Sequence, residues 1–191
     1  MAGVKGNRRI IYTKKVIRDS LVELLQDKDI HQITVTDICK KADINRGTFY
    51  THYKDAFDLL QSIEDDLFNQ IVEYIGETPA EEYINSLLPR VLELICENKD
   101  LCKILFCKQR DNRILDRILS VASMADFEKI CCNSNEFIKS NMNYFIRYSV
   151  GGCISIIQAW LENDMPESPL ELVNIINNVN NIGNVFTQEE L

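Results

Sequence analysis

Residues 44–55 read INRGTFYTHYKD and combine side chains that suit recognition of a polyanion. Arg46 and Lys54 supply positive charge, and Thr48 supplies a hydroxyl that can bond a base edge or a phosphate. Gly47 has no side chain, so the backbone there can approach a ligand closely. Aromatic residues follow at helical spacing. The segment is therefore a candidate binding surface, and the elements that hold it need to be identified.

The charge distribution favours a basic module on an acidic body. Residues 1–54 carry eleven Lys and Arg against six Asp and Glu, a net charge of +5. Residues 55–191 carry ten against 23, a net charge of −13, which gives −8 for the whole chain. This pattern is typical of a small polyanion-binding module joined to a domain with another task. On charge alone, an ordinary solvated face stays open as the alternative.

Two short helices are predicted on either side of a tight turn. Thr34 and Asp37 stand in the relation of a capping box, which predicts a helix that begins at Val35 and lasts about two turns. The turn residues that follow place Asn45 as the N-cap of a third helix over about residues 46–53.

A longer first helix braces this pair. Its apolar face is predicted to consist of Ile10, Ile17, Leu21, Leu24 and Leu25. The three helices form a helix-turn-helix, in which the second short helix enters the major groove of DNA by its N-terminal end. Phe49 and Tyr53, four residues apart, are expected to face inward. Asp55 and Asp58 form an N-cap pair for a fourth helix over residues 56–76.

The whole chain is expected to be all-α, with about nine helices. Gly and Pro are few, at seven and four, and apolar residues follow helical spacing instead of alternating. A three-helix module at residues 1–54 precedes a larger helical domain at residues 55–191, and helix 55–76 connects the two. The remaining helices are predicted at about 80–98, with a kink at Pro89, and at about 100–108, 112–130, 135–163 and 168–187, the last capped by Ser168 and Glu171.

Composition argues against several classes of protein. No apolar run approaches the roughly 20 residues that span a bilayer, and the first residues lack a signal-peptide core, so we expect a cytoplasmic protein with no membrane partner. The seven cysteines form no CxxC pair, and Cys102, Cys107 and the Cys131-Cys132 pair lie far in sequence from His31 and His52. We expect them to be reduced and buried, with no metal and no cofactor, although thiol sensing stays open. The sequence contains no P-loop and no Ser, His and Asp in the order of a catalytic triad, so the chain is not expected to be an enzyme.

The motif T-V-x-D-I, followed by A-D-I-N-R-G-T-F-Y-T-H-Y-K-D and F-D-L-L, resembles the N-terminal DNA-binding domain of the TetR family of transcriptional regulators, over about residues 8–60. The remainder resembles the family's helical regulatory and dimerisation domain. The resemblance implies a homodimer that binds an inverted-repeat operator on double-stranded DNA as a repressor controlled by a small-molecule effector. The alternative is a co-regulator whose C-terminal domain docks a protein partner.

The resemblance also implies which residues bind DNA. Thr34, Tyr50 and His52 are expected to hold phosphates, and Arg8 and Arg9 are possible arm contacts. The alternatives are a structural role for His52, a partly buried Tyr50 and a solvated tail that contains Arg8 and Arg9. The complete predicted DNA-binding set is Thr34, Thr36, Asn45, Arg46, Gly47, Thr48, Tyr50, His52 and Lys54.

Base edges are expected to be read or abutted by Arg46, Gly47 and Thr48, because Arg can fork onto guanine and Thr can touch a thymine methyl. The chain departs from the family at Ala56, where a second phosphate-binding lysine is common, so that contact is expected to be lost.

In the larger domain, the last two helices match those through which the family forms its dimer. A charge at Ile157 or Ile176 is accordingly predicted to abolish operator binding through loss of the dimer, while the helical content stays largely intact. The effector pocket is expected to be lined by aromatic side chains, for which simple core is the alternative; examples are Phe106, Phe127, Phe137 and Tyr144.

Overall fold

A computed structural model of the chain describes residues 2–79, 82–108, 113–124, 136 and 140–186. These residues contain nine α-helices and no strand. The prediction of an all-α fold with about nine helices is confirmed. The chain divides into two compact units, Met1–Leu67 and Phe68–Leu191. The functional division at residue 54 stays a prediction.

The N-terminal unit holds the three predicted helices and the start of a fourth. They are α1 (Ala2–Asp27), α2 (Val35–Lys41), α3 (Arg46–Tyr50) and α4 (Ala56–Glu77), with a 3-10 turn at Ile30–Gln32. α1 packs on α2, and α2 packs on α3. The division between the two units falls within α4.

One apolar core fixes α3 in this unit. Phe49 is fully buried and Tyr53 is 6% exposed, so both face inward as predicted. Ile10 does not belong to this core, because it is 48% exposed and the burial of α1 begins only at Ile17. The buried partners from the other helices are Ile17, Leu21, Leu25, Ile38, Cys39, Ala42, Leu59, Leu60 and Ile63.

The regular part of α3 is shorter than predicted, since it ends at Tyr50 and not at Tyr53. The Thr51 hydroxyl donates to the Thr48 carbonyl at 2.6 Å, and the N–H groups of His52 and Tyr53 both donate to the Phe49 carbonyl, at 2.9 and 3.0 Å. Sharing one carbonyl between two N–H groups tightens the last turn and ends the helix.

The C-terminal unit contains five further helices. Two of them, α5 (Leu88–Glu97) and α6 (Lys99–Lys103), adjoin π-helical turns at Tyr83–Leu87 and Ile104–Lys108. The others are α7 (Arg113–Met124), α8 (Met142–Glu162) and α9 (Pro169–Phe186). The predicted end of helix 112–130 and the predicted start of helix 135–163 lie largely outside the described residues. The capping box before α9 is confirmed, since Ser168 and Glu171 bond each other's backbone N–H groups at 2.8 and 3.3 Å.

The kink predicted at Pro89 stays a prediction, although the helical winding changes from π to α next to this residue. It lies in the first turn of α5, directly after the π-helical turn. Residues 83–97 are helical throughout, so Pro89 removes one N–H donor from a continuous helical stretch. The irregular winding before α5 accommodates the missing donor.

The prediction for Ile157 and Ile176 was wrong. They are only 9% and 1% exposed within one chain, so each belongs to the core of the C-terminal unit and is not available to a second subunit. Helical periodicity placed both residues on an apolar face. It could not distinguish the face that packs within the subunit from a face that contacts a second subunit. The exposed apolar side chains of these helices lie elsewhere, at Tyr144, Tyr148, Leu170, Ile175 and Val179.

The second half of α4 is held within the C-terminal unit by two arginines. The Arg90 guanidinium lies 4.1 Å from the centre of the Tyr74 ring and donates to the Glu77 carboxylate at 2.9 Å. The Arg117 guanidinium lies 3.9 Å from the centre of the Phe68 ring. Cation–π contacts of this kind contribute about 0.5–1 kcal/mol at exposed sites. α5 and α7 are thus both attached to α4.

The five cysteines that the structure describes carry free thiols. Cys39 and Cys102 are buried, and the others are partly exposed. Burial raises the pKa of the Cys96 and Cys107 thiols and raises that of Cys102 to about 12. Raised pKa values keep thiols protonated and unreactive, which favours a packing role. Cys131 and Cys132 lie outside the described residues.

Candidate nucleic-acid interface

α2 begins with the predicted capping box. Thr34 Oγ1 accepts from the Asp37 N–H at 3.2 Å and donates to Asp37 Oδ2 at 2.7 Å, while the Thr34 N–H donates to Asp37 Oδ2 at 3.0 Å. The side-chain and backbone hydrogen bonds from Thr34 lower the pKa of Asp37, so the box contributes stability at neutral pH and loses it as pH falls below the ordinary aspartate range. Both donors of Thr34 are engaged, so a phosphate contact there requires the hydroxyl to turn away from Asp37.

The turn between α2 and α3 sets the relation of the two helices. Asp43 has a φ of 51°, in the left-handed region, and the Ile44 N–H donates to the Cys39 carbonyl at 3.0 Å. This bond is the long-range bond of a Schellman motif, in which glycine usually occupies the left-handed position. Asp tolerates that conformation better than most residues do. The turn therefore closes α2 and directs the chain into α3 within four residues.

α3 is capped by Asn45, as predicted. Asn45 Oδ1 accepts from the Thr48 N–H at 2.7 Å and from Thr48 Oγ1 at 3.1 Å. Gly47 makes room for this cap, because a Cβ on residue 47 would lie only 3.2 Å from Asn45 Oδ1. The Asn45 side chain thus fixes both the start of α3 and the orientation of the Thr48 hydroxyl.

Arg46 is the exposed cation on the first turn of α3. Its Nη2 donates a hydrogen bond to Oγ1 of Thr36, on α2. The sequence predicted both residues as DNA-binding but gave no sign that they contact each other, because the contact depends on how α2 and α3 cross. The two first turns therefore present one connected polar surface.

Three further predicted residues follow the first turn of α3. Tyr50 is 57% exposed and lies edge-on to the buried Phe49, with ring centres 5.7 Å apart, so most of its side chain is outside the core. His52 is half-buried beside Tyr53, with ring centres 6.3 Å apart. The Lys54 side chain is exposed, while its N–H donates to the Asp58 carboxylate at 2.9 Å.

The structure adds two cations that the sequence reasoning missed. Lys28 and Lys40 are exposed, and both lie near enough to Asp37 to lower its pKa, after the larger effect of Thr34. Lys40 could have been found by its spacing, three residues after Asp37 on α2. Ala56, in contrast, is only 4% exposed, so the position that often carries a lysine in the family is part of the core here.

In the part of the chain that the structure describes, no three His, Cys, Asp or Glu side chains are grouped so that they could hold a metal ion. Over the same residues, no helix has both the length and the apolar character that a membrane span requires. Of the aromatic residues expected around an effector pocket, Phe106 is buried but Tyr144 is 75% exposed, and Phe127 and Phe137 lie outside the described residues.

Two family models match the chain. The model of "Bacterial regulatory proteins, tetR family" matches residues 17–63, which include α2, the turn and α3. The model of "Transcriptional regulator C-terminal region" matches residues 82–181, more than half of the chain.

Two curated relatives are similar over short segments. YxbF of Bacillus subtilis, an uncharacterised HTH-type transcriptional regulator, is 35% identical over 51 residues, which are 27% of this chain and 13% of the relative. DhaS of Lactococcus lactis, named as the dhaKLM operon transcriptional activator, is 34% identical over 65 residues, 34% of this chain and 35% of the relative. The chain thus spans well under half the length of these two relatives.

Two solved structures share the fold over most of the chain. A TetR transcriptional regulator from Streptococcus agalactiae superposes with a TM-score of 0.66 at 24% identity, over 94% of this chain and 98% of that one. FadR from Bacillus subtilis, solved in complex with stearoyl-CoA, superposes with a TM-score of 0.62 at 21% identity, over 85% of this chain and 94% of FadR. At these identities the likeness shows the fold alone.

Proposed function

The chain belongs to the TetR family of transcriptional regulators, and we propose that it is a homodimeric repressor that binds an inverted-repeat operator and releases it when a small-molecule effector binds the C-terminal unit. The observation that carries this proposal is the geometry of α2, the turn and α3. The first turn of α3 is capped by Asn45, is exposed at Arg46, and lies in the segment that matches the family's DNA-binding model.

Arg46, Gly47 and Thr48 read base edges in this proposal. Arg46 has the planar donor set that suits guanine, and Thr48 has a hydroxyl and a methyl group that suit adenine or thymine. Gly47 lets the backbone of the first turn approach the groove. Removing Arg46 should cost about 1–3 kcal/mol of discrimination between bases, and removing Thr48 should cost less. A loss that is uniform over all duplexes would instead make either residue a phosphate contact.

Phosphate binding is assigned to residues at the two ends of this surface. Tyr50 and Lys54 are exposed at the end of α3 and just beyond it, and Thr34 caps α2. His52 is half-buried, so only part of its ring is available to a phosphate. Contacts to phosphate fix the register of the protein on DNA and carry no sequence information themselves. Substituting them should weaken binding to all duplexes alike.

A dimer is supported by the apolar side chains that α8 and α9 leave uncovered. Tyr144 and Tyr148 are 75% and 71% exposed at a spacing of four residues, so they lie on one face of α8. Ile175 and Val179 are 40% and 45% exposed at the same spacing on α9. A second copy that covers these faces would bury them by two-fold symmetry. Two recognition helices about 34–36 Å apart then meet successive turns of the major groove.

Control by a small molecule is supported by the attachment of α4 to the C-terminal unit. Arg90 and Arg117 join α5 and α7 to the part of α4 between Phe68 and Glu77. A ligand that moves α5 or α7 would therefore act on α4. Coupling is reciprocal, so operator DNA should lower the affinity for the effector by the same factor, typically about 5–150-fold. Because FadR is solved with stearoyl-CoA, acyl-CoA thioesters are the first effectors to test.

An activator is the second candidate function. DhaS, 34% identical over 65 residues, is named as an operon activator, so relatives of this chain include one that increases transcription. An activator or a co-regulator would dock a protein partner, for which the net charge of −13 on residues 55–191 would favour a basic surface. Transcription of a reporter gene placed downstream of the operator distinguishes repression from activation. Deletion of the regulator raises reporter expression if the regulator is a repressor and lowers reporter expression if the regulator is an activator.

Selection from a pool of random duplex DNA tests the DNA-binding proposal. The parent chain should enrich a sequence with two-fold symmetry, and an Arg46→Ala variant should enrich a less specific one. Enrichment of no sequence at all would contradict the proposal, and enrichment of a single asymmetric site would contradict the dimer.

A further inference from the structure

The contact between Arg46 and Thr36 joins the two short helices on the side that carries the candidate DNA-binding residues. Arg46 Nη2 donates to Thr36 Oγ1, and both side chains are exposed. A second observation places the guanidinium against α2. Burial raises the pKa of the Cys39 thiol, and the charge of Arg46 opposes that shift, so this charge lies close to Cys39 on α2.

One hydrogen bond to Thr36 does not consume the recognition capacity of Arg46. A guanidinium has five N–H donors in one plane. Of the two hydrogens on Nη2, one lies on the edge shared with Nε and the other on the edge shared with Nη1. A single donation from Nη2 therefore leaves one complete edge with two parallel donors. Two parallel donors are what O6 and N7 of guanine accept.

Thr36 is suited to hold the arginine in place. Because threonine is branched at Cβ, its side chain has few rotamers in a helix, so Oγ1 is a well-defined acceptor. An unrestrained arginine loses much rotamer freedom when DNA orders it, and a partner that orders it beforehand reduces that loss. The Thr36 hydroxyl hydrogen is not used by Arg46, which offers no acceptor.

We infer that Thr36 is a positioning residue for base recognition: it accepts a hydrogen bond from Arg46 and leaves the free edge of the guanidinium directed at a guanine in each operator half-site. This inference rests on the proposed function, since it specifies how the DNA-reading arginine is oriented. It assigns Thr36 to base discrimination, although Thr36 itself need not touch a base. It also predicts that each half-site contains a guanine whose selection depends on Arg46.

The test compares the full-length parent with Thr36→Val, Thr36→Ser, Arg46→Ala and the double variant Thr36→Val with Arg46→Ala. Valine keeps the shape of threonine and removes the acceptor, whereas serine keeps the acceptor. Random-duplex selection first identifies the guanine that Arg46→Ala no longer selects. Fluorescence anisotropy then measures the affinity of every variant for the selected duplex and for one in which adenine replaces that guanine in both half-sites. Circular dichroism checks the fold, and Thr36→Ala replaces Thr36→Val if the valine variant does not fold.

Thr36→Val should reduce the preference for guanine over adenine by about 3- to 10-fold, the range expected when one long side chain must be ordered at an interface. It should leave the affinity for the adenine duplex nearly unchanged, because the orientation of Arg46 matters only where guanine is present. Thr36→Ser should restore most of the preference. In the Arg46→Ala background, Thr36→Val should have no further effect, since the coupling of the two residues is then absent.

Several results would overturn the inference. A parent that enriches no duplex overturns both the proposed function and this role of Thr36. A parent that enriches a palindrome without an Arg46-dependent guanine overturns only the role of Thr36. The role of Thr36 is also overturned if the Thr36→Val variant has the same preference for guanine as the parent, binds guanine duplexes more tightly, or loses affinity for both duplexes equally. An equal loss would mark Thr36 as a phosphate contact, and tighter binding would mark it as a competitor for Arg46.

Discussion

The effect of Gly47→Ala on stability should depend on which residue occupies position 45. A Cβ on residue 47 would lie 3.2 Å from Asn45 Oδ1, closer than most Cβ contacts in folded proteins. The capping oxygen, which accepts from the Thr48 N–H at 2.7 Å, must then move by a few tenths of an ångström, which disturbs the cap. In an Asn45→Ala background this oxygen is absent and the obstacle disappears.

The magnitudes follow from two opposing effects. Alanine is more favourable than glycine in a helix by about 0.8–1.0 kcal/mol. Loss of an Asn N-cap costs about 0.5–2 kcal/mol, typically about 1. With Asn45 present, Gly47→Ala should therefore change the free energy of unfolding by less than about 0.5 kcal/mol, because the two effects nearly cancel. In the Asn45→Ala background it should stabilise the chain by up to about 1 kcal/mol.

Urea denaturation followed by far-UV circular dichroism measures this difference, at one fixed protein concentration because the proposed dimer would contribute to the apparent stability. The single tryptophan, Trp160, is buried in the C-terminal unit, so its fluorescence shows whether that unit unfolds in the same transition. Asn45→Ser is the matched control, since serine keeps an N-cap acceptor and should lose less stability than alanine. Equal stabilisation by Gly47→Ala in both backgrounds would refute the steric link between the cap and residue 47.

Three other substitutions or modifications have defined outcomes. Lys54→Ala should weaken binding to all duplexes similarly and reduce the slope of log K against log salt concentration by about one unit, and an unchanged slope would exclude a phosphate contact. Tyr148→Glu should give a folded monomer that binds the operator poorly, whereas Ile176→Glu should unfold the C-terminal unit because Ile176 is 1% exposed. Sedimentation measures the oligomeric state and circular dichroism measures the helical content. A Tyr148→Glu variant that stays dimeric would contradict the assignment of Tyr148 to the dimer interface. Burial raises the pKa of Cys102 to about 12, so very little of its thiol is ionised at pH 8. Its reaction with iodoacetamide at pH 8 should therefore be at least about 10³-fold slower in the folded chain than in urea. Similar rates in the two conditions would contradict the burial of Cys102.

Local rules in the sequence predicted the ends of several helices correctly. Thr34, Asn45 and Ser168 each accept from the backbone N–H three residues later, as their positions had indicated. Such caps involve residues within one turn of each other, so their geometry depends little on the rest of the fold. The inward orientation of Phe49 and Tyr53 was likewise predictable from their spacing.

Contacts between helices were not predictable in the same way. The periodicity of α8 and α9 showed that they are apolar on more than one side, but burial of Ile157 and Ile176 depends on which side packs against the same chain. The hydrogen bond between Arg46 and Thr36 depends on the turn at Asp43, whose left-handed backbone sets how α2 and α3 cross. These features are set by tertiary packing, which a single sequence does not encode in any short pattern.

In the proposed function, α2, the turn and α3 together form the DNA-binding surface of this regulator. Hydrogen–deuterium exchange of the full chain, with and without the duplex that it selects, tests this claim most directly. DNA is expected to protect residues 34–54 most strongly, with the largest change around the first turn of α3. Unchanged exchange over residues 34–54, together with protection confined to the C-terminal unit, would contradict it.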